Sequence, residues 1–304
     1  MEEYTLIKNK VNDKLIFKLS QIGYALSCDV MFTNRVKQIP QNIDIVSKLK
    51  NGDKIFISIM ETKISWKTLI TILYTKQLKV YFYLMGEPII PRVIIKILLP
   101  FSLAIFVNNN IYDHPNIHVM PIGIRDCEYV VPNHKGFNHN YLIDEGINEC
   151  KKEFLCLLCF TFSHNDRNTC YDLLNNKSFI TNLNNNTYEK QPSIHCGKVP
   201  VWINYNYTHK SHYTLSPRGC GEDTHRFYEA IYLDSIPIVK RTNTTFDKLF
   251  TIFPCLVIDN WEDVTEELLL QNKDLYFNKI QEFKNAYPNA FTDLDSIHEL
   301  LLQT

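Results

Sequence analysis

The densest concentration of reactive side chains lies in residues 213–240, YTLSPRGCGEDTHRFYEAIYLDSIPIVK. Arg218 and Arg226 can offer bidentate donors to phosphate oxygens, a geometry that lysine lacks. Gly219 and Gly221 let backbone amides approach a ligand with no Cβ in the way. Asp223 or Thr224 suits the N-cap of a following helix, whose free N–H groups and dipole favour an anion such as a diphosphate. On that helix His225, Arg226 and Glu229 share one arc, and Glu229, one turn in, can accept both hydroxyls of a ribose. Each part of a nucleoside diphosphate thus has a candidate partner. The competing account is an Arg226–Glu229 pair at i,i+3 that is only a solvated surface interaction, worth about 0.2–0.5 kcal/mol.

Such a site needs a rigid frame. The segment reads as strand, glycine turn, helix, strand, and in open α/β sheets ligands bind where loops leave the C-terminal ends of strands. Phe227, Ala230 and Ile231 fall at i, i+3 and i+4, the face that packs on a sheet. Alternating strand-like and helical runs extend over the whole chain, the pattern of an α/β protein with mainly parallel sheets. Strands are predicted at 54–59, 79–84, 103–107, 117–120, 154–161, 212–216, 236–240 and 256–258, and helices over 65–74, 167–174, 224–233, 262–285 and 293–302. The polar stretch 131–139 and the Asn-rich stretch 182–186 read as loops.

A chain of 304 residues exceeds the usual size of one core, so two domains are expected. The boundary falls within 140–152, giving an acceptor-side α/β domain over 1–148 and a nucleotide-sugar-binding domain over 149–304. With a net charge of −1 there is no global cationic surplus for nucleic-acid binding. The run Val93–Val107 is apolar but is interrupted by Lys96 and Pro100, so it reads as a helix followed by a strand and not as an integral membrane segment. The N-terminal MEEYTLIKNK lacks the apolar core of a signal peptide, and nine cysteines show no regular spacing. Free thiols in a reducing, cytoplasmic compartment are the expectation. Cys156 and Cys159 form a CxxC inside an apolar run and read as buried strand residues.

The stretch Leu215–Val239 resembles the C-terminal motif of exostosin-type glycosyltransferases: strand, Pro-x-Gly turn, Arg-x-x-Glu-Ala helix, Ser-Ile-Pro-Val strand. Its longer form, Pro-Arg-Gly-x-Gly-x-Asp-Thr-His-Arg-x-x-Glu-Ala, is similar to a subgroup found in microbes and large viruses. Pro121–Ile124, Trp261-Glu262-Asp263 and Arg167 resemble further segments of that subgroup. Asp234 departs from it by standing where a glycine is usual. The resemblance implies a GT-B fold, two Rossmann-like domains facing a cleft with C-terminal helices packing back across them. It also implies a nucleotide-sugar donor held through its ribose by Glu229, with Arg167, at the opening of the second domain's first helix, among the donor-binding residues.

The resemblance further implies transfer without a required metal, no cofactor beyond the donor, and a glycan or other hydroxyl acceptor. The single Asp-x-Asp, at Asp293–Asp295, stands at a helix start and reads as an N-cap. An inverting transfer needs a general base, for which Glu87, past a strand end, and His134, in a polar loop, are candidates. Ala230 follows the helix glutamate where fucosyltransferase-like enzymes have lysine, which favours UDP over GDP. Other readings remain open: a GDP-sugar enzyme, a catalytically inactive nucleotide-sugar-binding scaffold, or an unrelated phosphate-binding α/β protein. No Gly-Lys-Ser/Thr phosphate loop supports the last.

Overall fold

Short runs of β-branched and aromatic residues form ten strands among the residues that the computed structural model describes, namely 19–33, 43–59, 65–86, 89–125, 150–184 and 199–302. Every strand pairing is parallel. Parallel neighbours cannot be joined by a hairpin, so the chain must cross over between them, commonly as a helix. The result is two Rossmann-like α/β units, each on its own five-stranded sheet.

The first sheet has the order β1 (Val30–Phe32), β2 (Lys54–Ser58), β3 (Val80–Met85), β4 (Ser102–Val107), β5 (Ile117–Val119). Helix α1 (Gln21–Ser27) precedes it, and α2 (Ile43–Val46), α3 (Trp66–Thr75) and α4 (Arg92–Leu98) lie between its strands in sequence. Ile55, Ile57, Phe82, Leu84, Ile105 and Val107 are buried with Leu69 and Leu73 of α3 and Ile95 and Leu98 of α4. The apolar run at 93–107 resolves into α4, a 3-10 turn at Leu99–Phe101 and β4. No described helix is long and apolar enough to cross a membrane. After β5, Gly123 takes a φ of +71°, and a Cβ there would stand 2.1 Å from the carbonyl oxygen of Leu19. Only glycine lets this loop lie against that backbone, where Ile124 N donates to Leu19 O at 2.8 Å.

The second sheet has the order β10 (Leu256–Ile258), β9 (Ile236–Lys240), β8 (Ser211–Leu215), β6 (Phe154–Leu158), β7 (Ile180–Asn182). Its helices are α5 (Asn165–Leu174), α6 (Val201–His209), α7 (His225–Tyr232), α8 (Leu249–Ile252) and α9 (Glu266–Ala286). Cys156, within β6, and Cys159, just past it, are buried and take part in no disulfide.

The units are interleaved along the chain. The first comprises Met1–Val131, Thr244–Lys248 and Ala290–Thr304, and the second Pro132–Asn243 and Leu249–Asn289. The last helix, α10 (Leu294–Leu301), belongs to the first unit. There Leu19 N donates to Phe291 O at 3.1 Å, and the His298 ring lies against Tyr83 and Phe106. Asp293 caps α10 by accepting from Ser296 N at 2.9 Å. That is the role its place at a helix start demands.

Candidate functional site

In the second sheet β6 and β8 are neighbours, although β7 lies between them in the chain. The connections leaving them run to opposite sides: β6 leads through α5 to β7, and β8 leads through α7 to β9. Such a reversal marks, at the C-terminal ends of β6 and β8, the position at which ligands bind open α/β sheets. The β6–α5 loop (159–164) and the β8–α7 loop (216–224) border it. Every described residue of the sequence-predicted donor site lies on one of these loops or on the helix after it.

The two loops are tied together by Arg167, in the first turn of α5. Its Nε donates to Arg218 O at 2.9 Å, and its Nη1 donates to Thr161 O at 2.8 Å and to Thr161 Oγ1 at 3.0 Å. Gly219 gives this guanidinium its space, since a Cβ at 219 would stand 2.8 Å from Nη2. The Gly219 amide is itself used within the turn, donating to Gly221 O at 3.0 Å. Gly219 therefore serves Arg167 first, a role the motif alone does not disclose.

Arg226 occupies the second position of α7, and only 8% of its surface is exposed. It makes no hydrogen bond or ion pair with any described residue, and its Nε is buried without a partner. The guanidinium carbon lies 5.8 Å from the ring centroid of Phe160, at the end of the β6 run. A cation–π contact at such a distance contributes about 0.5–2 kcal/mol and leaves the buried Nε–H unanswered. A buried guanidinium without a hydrogen-bond acceptor is costly, and a bound anion would supply what it lacks. The helix N-terminus adds to the same field: Thr224, the N-cap, makes no side-chain capping bond.

Glu229, one turn on, is 5% exposed and is not paired with Arg226. Its Oε1 accepts from the hydroxyl of Tyr205 on α6 at 3.0 Å. Lys152 fixes the two helices in register, its Nζ donating to His209 O at 2.6 Å and to Leu233 O at 3.4 Å, at the C-terminal ends of α6 and α7. Burial lowers the Lys152 pKa to about 8, opposed in part by Asp234. The carboxylate is thus held in a fixed position, as a group that recognises hydroxyls must be.

Other residues of the predicted site are already engaged. Arg218 Nη1 pairs with Glu222 within the β8–α7 loop, while its Nε is buried without a partner among the described residues. Asp223 is buried, with Oδ1 accepting from Thr224 N and Oδ2 from the Tyr228 hydroxyl, both at 2.8 Å. It anchors the loop while Thr224 takes the N-cap position. His225, the first helical residue, is half-buried. Behind the loops, Trp261 Nε1 donates to Asp166 Oδ1 at 2.9 Å, and Lys240 Nζ stands 4.0 Å from the same oxygen. The Trp-Glu-Asp segment therefore bears on the start of α5.

Asp234 adopts a left-handed conformation with a φ of +56°. Ser235 N donates to Ala230 O at 2.9 Å and Asp234 N to Ile231 O at 3.2 Å, the bonding pattern of a Schellman cap. The departure from glycine is offset by its carboxylate, which accepts from Lys284 Nζ at 2.6 Å and Gln281 Nε2 at 2.8 Å.

Glu87 and His134 lie outside the described residues. Among the described residues no group of three or more His, Cys, Asp or Glu side chains converges to hold a metal ion. Tyr205, Phe160 and Lys152 are the site residues that motif reading missed. Phe160 alone carried a signal, as the last residue of the apolar run 154–160.

No family model matches the chain, and no curated protein matches it. Among solved structures it is similar to a protein assigned as a UDP-N-acetylglucosamine 2-epimerase from Listeria monocytogenes. Identity is 12% and the TM-score 0.35, over 79% of this chain and 71% of that one. Likeness of that degree assigns no family, and the reading of the site rests on its own residues.

Proposed function

We propose that the chain is a glycosyltransferase of exostosin type and GT-B architecture. It would move a sugar from a nucleotide-sugar donor, UDP-linked by preference, to a glycan or other hydroxyl acceptor. The observation that carries this reading is Arg226: a buried guanidinium whose Nε has no partner among the described residues, at the first turn of α7, beside a carboxylate held by Tyr205. In this reading the donor diphosphate lies on Arg226 and the α7 N-terminus, and the ribose hydroxyls bond to Glu229.

In the transfer, the acceptor oxygen bonds to the anomeric carbon as the bond from that carbon to the phosphate oxygen breaks. The diphosphate leaves with the bonding electrons, and a base takes the acceptor proton. Arg226 stabilises the charge that grows on the leaving group, a fixed positive group aimed where negative charge develops. Glu87 is proposed as the base, with His134 the second candidate. Full activity in a Glu87→Gln variant would eliminate Glu87.

The test is a calorimetric titration of the protein with UDP, GDP, CMP and ADP, repeated on Arg226→Ala and Glu229→Ala. Selective binding of one nucleotide, lost in both variants, is expected. A folded protein that binds none of the four sinks the reading.

A further inference from the structure

The loop that presents Phe160 also carries an aromatic side chain that is left largely exposed. Phe160 is 1% exposed, whereas Phe162, two residues on, is 55% exposed. The two rings meet edge-to-face with centroids 6.1 Å apart, and Phe162 meets Tyr171 of α5 in the same manner at 5.1 Å. With Arg226 placed 5.8 Å from Phe160, a row runs from this guanidinium, whose Nε has no partner among the described residues, through a buried ring to an exposed one. Leaving a phenylalanine in water forgoes roughly 1.5–3 kcal/mol of burial. Its two ring neighbours hold it in place and leave much of it open.

We infer that Phe162 is the stacking platform for the base of the nucleotide whose phosphates Arg226 holds. This inference rests on the nucleotide-sugar reading above and extends it to a second subsite. The chemistry of the row selects the ligand: an anion at the inner end, and a flat π-system at the outer end. A nucleoside diphosphate has both, joined by a ribose. A stacking platform recognises a π-face and not an edge. Selectivity among bases would then come from elsewhere in the loops.

The test compares two probes, inorganic pyrophosphate and whichever of UDP, GDP, CDP and ADP the wild-type protein binds best. Phe162→Ala should weaken the nucleoside diphosphate by roughly 10-fold or more, the scale of one base–aromatic stack, and leave pyrophosphate unchanged. Phe162→Trp should keep the affinity and show quenched indole emission on binding, read against the emission of the unsubstituted protein. Unchanged nucleotide affinity in Phe162→Ala overturns the inference. So does an equal loss for both probes, which would make the ring a support of the anion site. If the wild type binds pyrophosphate but no nucleoside diphosphate more tightly, the base subsite falls alone. If it binds neither, the nucleotide-sugar reading falls and takes the subsite with it.

Discussion

Gly219 lies directly against the guanidinium of Arg167, close enough that a Cβ at 219 would stand 2.8 Å from Nη2. The end of an arginine is usually free to swing away, but this one is held by three hydrogen bonds to Thr161 and Arg218. Any relaxation therefore breaks the tie between the β6–α5 and β8–α7 loops. Gly219→Ala should cost about 1–3 kcal/mol, the usual range for overpacking. Arg167→Ala removes the obstacle along with the tie. The double variant should therefore be less destabilised than the sum of the singles, a non-additivity that urea denaturation of all four proteins would reveal. Strict additivity would mean that the two residues do not meet.

Arg226 makes the reverse prediction. If its charge is held for a ligand, the ligand-free protein bears the cost of an unanswered buried guanidinium. Arg226→Met keeps an unbranched apolar side chain in contact with Phe160 and removes the charge. Thermal denaturation without nucleotide should show this variant as stable as the wild type or more so, by about 1 kcal/mol. The rise in Tm on adding nucleotide should disappear. A large loss of stability in the variant would assign Arg226 to the fold and not to a ligand.

Asp234 was legible in the sequence only as an anomaly. A chain that turns out of α7 through a left-handed residue favours glycine, and the compensation lies about fifty positions further on, in Gln281 and Lys284 of α9. Asp234→Ala should cost about 1–2 kcal/mol, from the strained φ and from the lost part-buried pair. Asp234→Gly should cost less, because it relieves the backbone while losing the same pair. Equal losses in the two variants, measured by chemical denaturation, would leave the backbone conformation without an energetic role.

The strands were readable because their residue types differ sharply from those of the turns between them. The arcs of α7 were readable because Phe227, Ala230 and Ile231 are apolar at helical spacing. Helix α6 was not. Its buried positions are Val201, Asn204, Tyr205, Thr208 and His209, which is helical spacing filled largely with polar side chains. Hydrophobic periodicity cannot find a helix whose inner face is polar. The partner of Glu229 therefore stayed hidden, although Glu229 itself stood out. The Arg218–Glu222 pair escaped for a different reason: both residues are in a loop, where spacing does not fix which side chains meet.

The attachment of α10 should respond to acid. His298 is a half-buried residue of that helix, where its Nδ1 meets the Tyr83 hydroxyl and its ring packs near Tyr81 and Phe106. Burial first, and then Lys54 and His118, hold its pKa below the ordinary value, with Asp295 opposing. Burial also lowers His118, with Lys248 assisting, and His212, with Lys152 and Lys273 assisting and Asp274 opposing. For each, the folded pKa lies below the unfolded one. The unfolded chain therefore binds more protons as pH falls through about 6.5, and stability is lost in that direction. The urea midpoint should be lower at pH 5.5 than at pH 7.5. His298→Gln, which keeps an acceptor for Tyr83 but cannot be protonated, should make that drop smaller. A drop of the same size in the variant would remove His298 from the acid response and leave it to the other two histidines.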